Sequence, residues 1–169
     1  MPLGPTVGHR EDAVVHGLDL AWRVCRFEDL SPLELARIYR ARQQVFVVEQ
    51  QCLYVDADEL DAAAWHLAGW APGSALPLAY ARLVEPGAKY AEPAMGRVIT
   101  IGVARGIGLG REVVRRAIEH AGLVYPGQGL RISAQQRLQR FYAGFGFVPV
   151  GEGYLEDGIP HLEMLRHDA

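Results

Sequence analysis

The stretch that decides the fold runs Arg97-Val98-Ile99-Thr100-Ile101, then Arg105-Gly106-Ile107-Gly108-Leu109-Gly110-Arg111, then on to Ala121. The first five residues are apolar and rich in β-branched side chains, as in a central strand. From Gly108 to Ala121, Val113, Val114, Ala117, Ile118 and Ala121 fall on one helical face. A glycine loop therefore joins a strand directly to a helix. Glycines let the backbone turn sharply and approach a ligand without a Cβ in the way. The helix start offers unpaired N–H groups and the positive end of its dipole, a seat for phosphate oxygens. Arg105 and Arg111 add charge beside it.

Two familiar phosphate loops are excluded. The Walker pattern ends in Gly-Lys-Ser or Gly-Lys-Thr, which is absent. The dinucleotide fingerprint fails because Arg111 stands three residues after Gly108, and no acidic ribose ligand follows between Leu123 and Gly129.

Outward from this loop, the chain reads as mixed strands and helices. Leu20 to Phe27 forms a first strand. Ser31-Pro32-Leu33-Glu34 starts a helix, with Ser31 as cap, Pro32 in the first turn and Glu34 completing a capping box. Leu35, Ile38, Tyr39, Arg42 and Val45-Phe46 continue it. Trp65–Trp70 and Leu78–Val84 alternate as strands around a turn at Ala71-Pro72-Gly73-Ser74. Leu130–Ala134 is a strand, Gln135–Ala143 a helix, and Phe145–Val150 begins a strand. A turn at Glu156-Asp157-Gly158 leads into a last strand, Ile159–Leu165. The expectation is one α/β (α+β) domain over 19–169, with a loose arm at 1–18.

With 169 residues, half of them apolar, one buried core is affordable without metal or disulfide staples. The 17 basic and 20 acidic residues leave a formal charge of −3, which argues against a nucleic-acid partner. Arg37, Arg40, Arg42, Arg137 and Arg140 read as solvated helix-face charges. No apolar run reaches 18 residues and the first ten contain no hydrophobic stretch, so the expected setting is cytoplasmic, away from membranes. Cys25 and Cys52 match no zinc spacing and read as ordinary buried thiols. Asp56, Asp58, Glu59 and Asp61 lack the turn glycine of a calcium loop. They read as a solvated loop, with attraction of a cationic substrate as the alternative.

The segment Arg105 to Gly110, R-x-x-G-x-G, resembles the pyrophosphate signature of the GNAT acetyltransferases. Ala134 to Phe147 resembles their second motif, in which a tyrosine precedes a Gly-Phe pair. Further segments resemble the ElaA-like branch of that superfamily: Arg42–Gln50, Asp58 with Asp61, His66-Leu67, Gly96-Arg97-Val98, Ala134-Gln135 and Gly158–Met164. The resemblance implies a mixed, largely antiparallel central sheet, splayed at a cofactor cleft and flanked by helices. It also implies transfer of an acetyl group from acetyl-CoA to a primary amine, by direct attack in a ternary complex and without metal.

Under that resemblance, Val98, Ile99 and Thr100 pair with pantetheine, and Arg105, Gly106, Ile107, Gly108, Leu109, Gly110 and Arg111 hold the diphosphate. Gln135 stands where many relatives carry Asn and keeps an amide for the cofactor arm. Tyr142 takes the place of the tyrosine beside the thioester sulfur. The base is open: Glu49, an acid ending an apolar run, is the first choice, while His66, His161 and Glu163 are candidates for the acceptor side. The acceptor is a small-molecule or peptide amine, and the assembly a monomer or homodimer. The competing reading is a non-catalytic acyl-CoA-binding or regulatory protein of the same fold.

Overall fold

The computed structural model describes residues 12–15, as backbone, and residues 18–167. Eight strands form one sheet: β1 (Asp12–Val15), β2 (Leu18–Arg26), β3 (Trp65–Trp70), β4 (Ala79–Val84), β5 (Ala94–Thr100), β6 (Leu130–Gln135), β7 (Val148–Glu156) and β8 (Ile159–Arg166). The helices are α1 (Pro32–Gln43), α2 (Leu60–Ala63), α3 (Leu109–Val124) and α4 (Gln139–Ala143). Strand order is β1-β2-β3-β4-β5-β6-β8-β7. Every neighbouring pair is antiparallel except β5–β6. The expected mixed α/β fold is thus the observed one. Residues 12–15, placed by the sequence in the loose arm, pair with β2; residues 1–11 of that arm lie outside the described residues.

Local chemistry sets the first helix. Ser31 accepts from the Glu34 amide and the Glu34 carboxylate accepts from the Ser31 amide, closing the capping box with Pro32 in the first turn. Such a cap is worth about 1 kcal/mol. Beyond Gln43 the helix widens into a π-turn, Gln44–Glu49. The main core lies between the sheet and α3, where Val113, Val114, Ala117 and Ala121 meet Leu67, Leu83, Ile132 and Met164. The smaller core joins Ile38, Ala41 and Val45 to Ala68, Tyr80 and Ile99 on the opposite face.

Two features open the sheet in its middle. Between Tyr80 and Arg82 the β4–β5 register slips, and Arg97 in that bulge adopts φ +52°. Opposite, β5 and β6 share a single paired position, Ala94 with Arg131. From there toward Thr100 and Gln135 the two parallel strands diverge. The expected helix from Gln135 is shorter than its pattern: Gln135 closes β6, Gln136–Leu138 form a 3-10 turn, and α4 begins at Gln139. No helix among the described residues is long and apolar enough to cross a membrane.

Candidate active site

A cavity of about 170 Å³ occupies the gap between the diverging strands. Met95, Gly96, Arg97 and Val98 line it from β5, and Ile132, Ser133, Ala134 and Gln135 from β6. Tyr142, Leu138, Tyr54, Lys89, Glu156 and His161 complete the lining. Past the end of β5, Gly106 at φ +80° and Gly108 at φ +86° turn the chain into α3. Those angles suit glycine, since a Cβ there costs about 1–2 kcal/mol. Gly108 caps α3 without any side-chain cap, so the helix start remains available to an anion. A cradle without Cβ atoms, a helix N-terminus and an opened strand edge together fit a long diphosphate-bearing thioester.

Within the predicted cofactor set, the side chains divide. Val98 and Gln135 line the cavity. Ile99 and Leu109 are buried in the cores, leaving only their main chain for a ligand. The Thr100 carbonyl accepts from Arg105 Nε at 3.1 Å and Nη2 at 2.9 Å, so it is engaged within the protein. Arg105 reaches back to β5 and pairs with Glu49 at 2.6 Å. Arg111 stacks over Phe145. Gln135 donates to Gln50 at 3.1 Å and accepts from Arg137 at 2.9 Å, tying the π-turn to the end of β6.

Tyr142 is buried against Phe141 and Phe147, both edge-on, with its ring in the cavity wall. Burial pushes its phenol up to about 12, so it is a hydrogen-bond donor throughout the neutral range. His161, also in the cavity lining, places Nδ1 2.7 Å from the Ile159 carbonyl. A carbonyl only accepts, so Nδ1 carries the proton and the neutral ring keeps its lone pair on Nε2. Nε2 lies 3.6 Å from Glu156 and the ring stacks on Tyr154.

Three other candidates lie elsewhere. Glu49 is held by Arg105 and is absent from the cavity lining. Glu163 pairs with Arg131 at 2.9 Å, and Arg131 is also bound by Glu92. His66 is buried, with Nε2 donating to the Asp61 carbonyl at 2.8 Å and Nδ1 accepting from Tyr80 at 2.7 Å. Burial lowers its pKa below the usual histidine value.

The acidic segment is not the solvated loop that its composition suggests. Asp56 and Asp61 are buried, and so is Arg42, which the sequence placed on a solvated face. Arg42 donates from Nε to Asp56 at 2.8 Å and from Nη1 to Asp61 at 2.7 Å. Arg82 donates to Asp61 at 2.9 Å and Asp58 at 2.5 Å. Arg97 brings Nε to 2.9 Å from Asp56, off the hydrogen-bond line, and donates from Nη2 to the Asp56 carbonyl at 3.1 Å. Three cations and three anions thus neutralise one another beneath the bulge. Burial raises the pKa of Asp61, but hydrogen bonds and charge from Arg42 and Arg82 outweigh it and hold the carboxyl at about 2.

Comparison with known proteins agrees with this geometry. The model of the Acetyltransferase (GNAT) domain family matches residues 89–166. A UPF0039 protein of Synechocystis is 45% identical, over 88% of this chain and 96% of its own length. Protein ElaA of Escherichia coli is 36% identical, over 87% and 96%. The chain belongs to the ElaA-like family of GNAT acetyltransferases. The crystal structure of E. coli ElaA superposes with a TM-score of 0.81 at 35% identity, over 88% of this chain and 99% of that one. An acyl-CoA N-acyltransferase from Pseudomonas aeruginosa gives 0.83 at 39%, with the same coverage. Acetyltransferase activity and acetyl-CoA binding, in general terms, follow for this ElaA-like chain.

Sequence reasoning missed Arg82, Tyr54 and Lys89. A signal existed for Arg82, a cation in the middle of an apolar strand. Cys25 and Cys52 are free and buried, as expected, although Cys52 also borders the cavity.

Proposed function

We propose that this protein transfers an acetyl group from acetyl-CoA to a primary amine by direct attack in a ternary complex. The observation that carries the reading is the cavity between β5 and β6, with Tyr142 and His161 both in its lining. Acetyl-CoA supplies the activated acetyl group. Its pantetheine lies along the freed edge of β5 at Val98, and its diphosphate at Gly106 to Gly110 and the start of α3.

The acceptor nitrogen forms its bond to the acetyl carbon while the carbon–sulfur bond breaks and the electron pair leaves on sulfur. His161 Nε2 takes the proton that the amine loses, and the Glu156 carboxylate stabilises the resulting imidazolium. His161 replaces Glu49 as base because Glu49 is committed to Arg105. Tyr142 serves the sulfur. Its phenol at about 12 lies well above an ordinary thiol, near 8.5. The phenol is therefore protonated when the thioester reacts and donates a hydrogen bond to the charge developing on sulfur. A hydrogen bond to a charged group is worth about 1.5–3 kcal/mol. Tyr142→Phe is therefore expected to lower kcat by about ten- to hundred-fold with little change in the KM of acetyl-CoA. The test is release of free CoA and product mass over an amine panel, with calorimetric binding of acetyl-CoA alongside. Tight binding without transfer to any amine would favour the non-catalytic reading.

A further inference from the structure

Sixteen of the 17 basic residues are arginine, and the single lysine, Lys89, stands in the cavity wall. It sits on a tight turn, where the Gly87 amide donates to the Tyr90 carbonyl at 2.7 Å. The Tyr90 ring packs against Val84 and Ala94 and lies beneath both the Lys89 ammonium, 5.2 Å from its centroid, and the Arg131 guanidinium. Lys89 is thus anchored, yet among the described residues it makes no hydrogen bond or ion pair. Of the carboxylates nearby, Glu92 and Glu163 are paired with Arg131 and Glu156 accepts from Ser133 at 3.4 Å, while Asp157 borders the same cavity. Partial desolvation holds its ammonium below the ordinary lysine range.

Glu156 and Glu163 attract this ammonium only from beyond ion-pair distance, so a cleft cation with no direct partner can take an anionic ligand. The diphosphate of the cofactor is not that ligand. Lys89 precedes β5 and the glycine loop follows it, and seven strand residues separate the two ends by about 20 Å. The anion therefore belongs to the acceptor. We propose that the acceptor is a free amino acid, its carboxylate on Lys89 and its amine facing Nε2 of His161. This rests on the N-acetyltransferase reading and narrows its substrate class.

The experiment compares matched acceptors: lysine against cadaverine, phenylalanine against phenylethylamine, and each amino acid against its carboxamide. The rate is read as free CoA and the product by mass. The amino acids are expected to exceed their decarboxylated and amidated partners at least tenfold in kcat/KM. Lys89→Met brings that ratio to about one, through the KM of the amino acid, while Lys89→Arg keeps most of it. Melting curves establish that both variants fold. Equal or better turnover of the decarboxylated amines overturns the proposal and leaves the N-acetyltransferase reading intact, and so does a Lys89→Met loss that falls alike on both partners. Absence of transfer to every acceptor, with acetyl-CoA still bound, overturns both.

Discussion

Asp61→Asn is the sharpest test of the buried charge network. Asp61 joins two arginines, accepting from Arg42 at 2.7 Å and from Arg82 at 2.9 Å, and its side chain is 1% exposed. Asparagine keeps the shape but removes the charge, leaving three cations against two anions in a space from which Arg42 cannot reach water. Breaking a buried pair on one side costs about 3–5 kcal/mol, since the remaining charge stays desolvated. Unfolding entropy of about 2.1 cal/mol/K per residue over this length converts that to a fall in Tm of about 8–14 °C. Asp58→Asn is the matched control. Its side chain is 34% exposed, so a loss of about 1 kcal/mol or less is expected.

Calorimetric scans and urea titrations at pH 7 measure both variants, and a pH series gives a second readout. The folded pKa of Asp61, about 2, lies below its ordinary 3.8. Its stabilisation is therefore complete above 3.8 and is lost as pH falls through 3.8 toward 2. Asp61→Asn removes that part of the acid transition. A loss under 1 kcal/mol, or one matched by Asp58→Asn, would refute the claim that burial makes this network matter.

Two more outcomes follow from the same geometry. His66 is buried and neutral with its pKa lowered by desolvation, so its contribution is intact above 6.5 and is lost as pH falls below that value; His66→Gln should flatten the stability profile between pH 7 and 5, leaving the slope from His120, shifted in the same direction. Glu49→Gln removes a half-exposed ion pair with Arg105, for which a change of under about 1 kcal/mol in stability and no acidic limb lost from the kcat/KM profile is expected; disappearance of that limb would return the base role to Glu49.

Legibility in the sequence followed the range of the interactions. The capping box at Ser31 and Glu34 spans three residues, so its chemistry was readable and the helix start was found to the residue. The glycine loop likewise joins neighbours, and its strand and helix emerged with ends shifted by only a few positions. The charge network was invisible because its members come from residues 42, 56, 58, 61, 82 and 97, on four different segments. Composition could say only that acids clustered. Yet Arg42 stood in an apolar stripe between Tyr39 and Val45, and an arginine at such a position needs a buried anion. The His161 tautomer and the capture of Glu49 were out of reach for the same reason, since each depends on a partner in space.

The network also explains why the cleft opens where it does. An arginine at φ +52° is strained by about 1–2 kcal/mol, and the backbone would relax if nothing opposed it. Arg97 is opposed on several sides: Asp56 and Asp58 hold its guanidinium, and Tyr54 lies beneath it. Those acids are in turn fixed by Arg42 on α1 and Arg82 on β4. The strain is thus maintained by charges of which Asp56 and Asp61 cannot be withdrawn without leaving the buried Arg42 short of a partner. Held in the bulge, β5 turns away from β6 after one paired position, and the strand edge it loses is the edge a thioester arm can take. At the far end, Gln50 and Gln135 tie the π-turn of the first helix to β6, so the same helix braces both walls. A substitution at Asp56 should therefore raise the KM of acetyl-CoA while leaving Tyr142 and His161 in place, because it lets one wall relax toward the other.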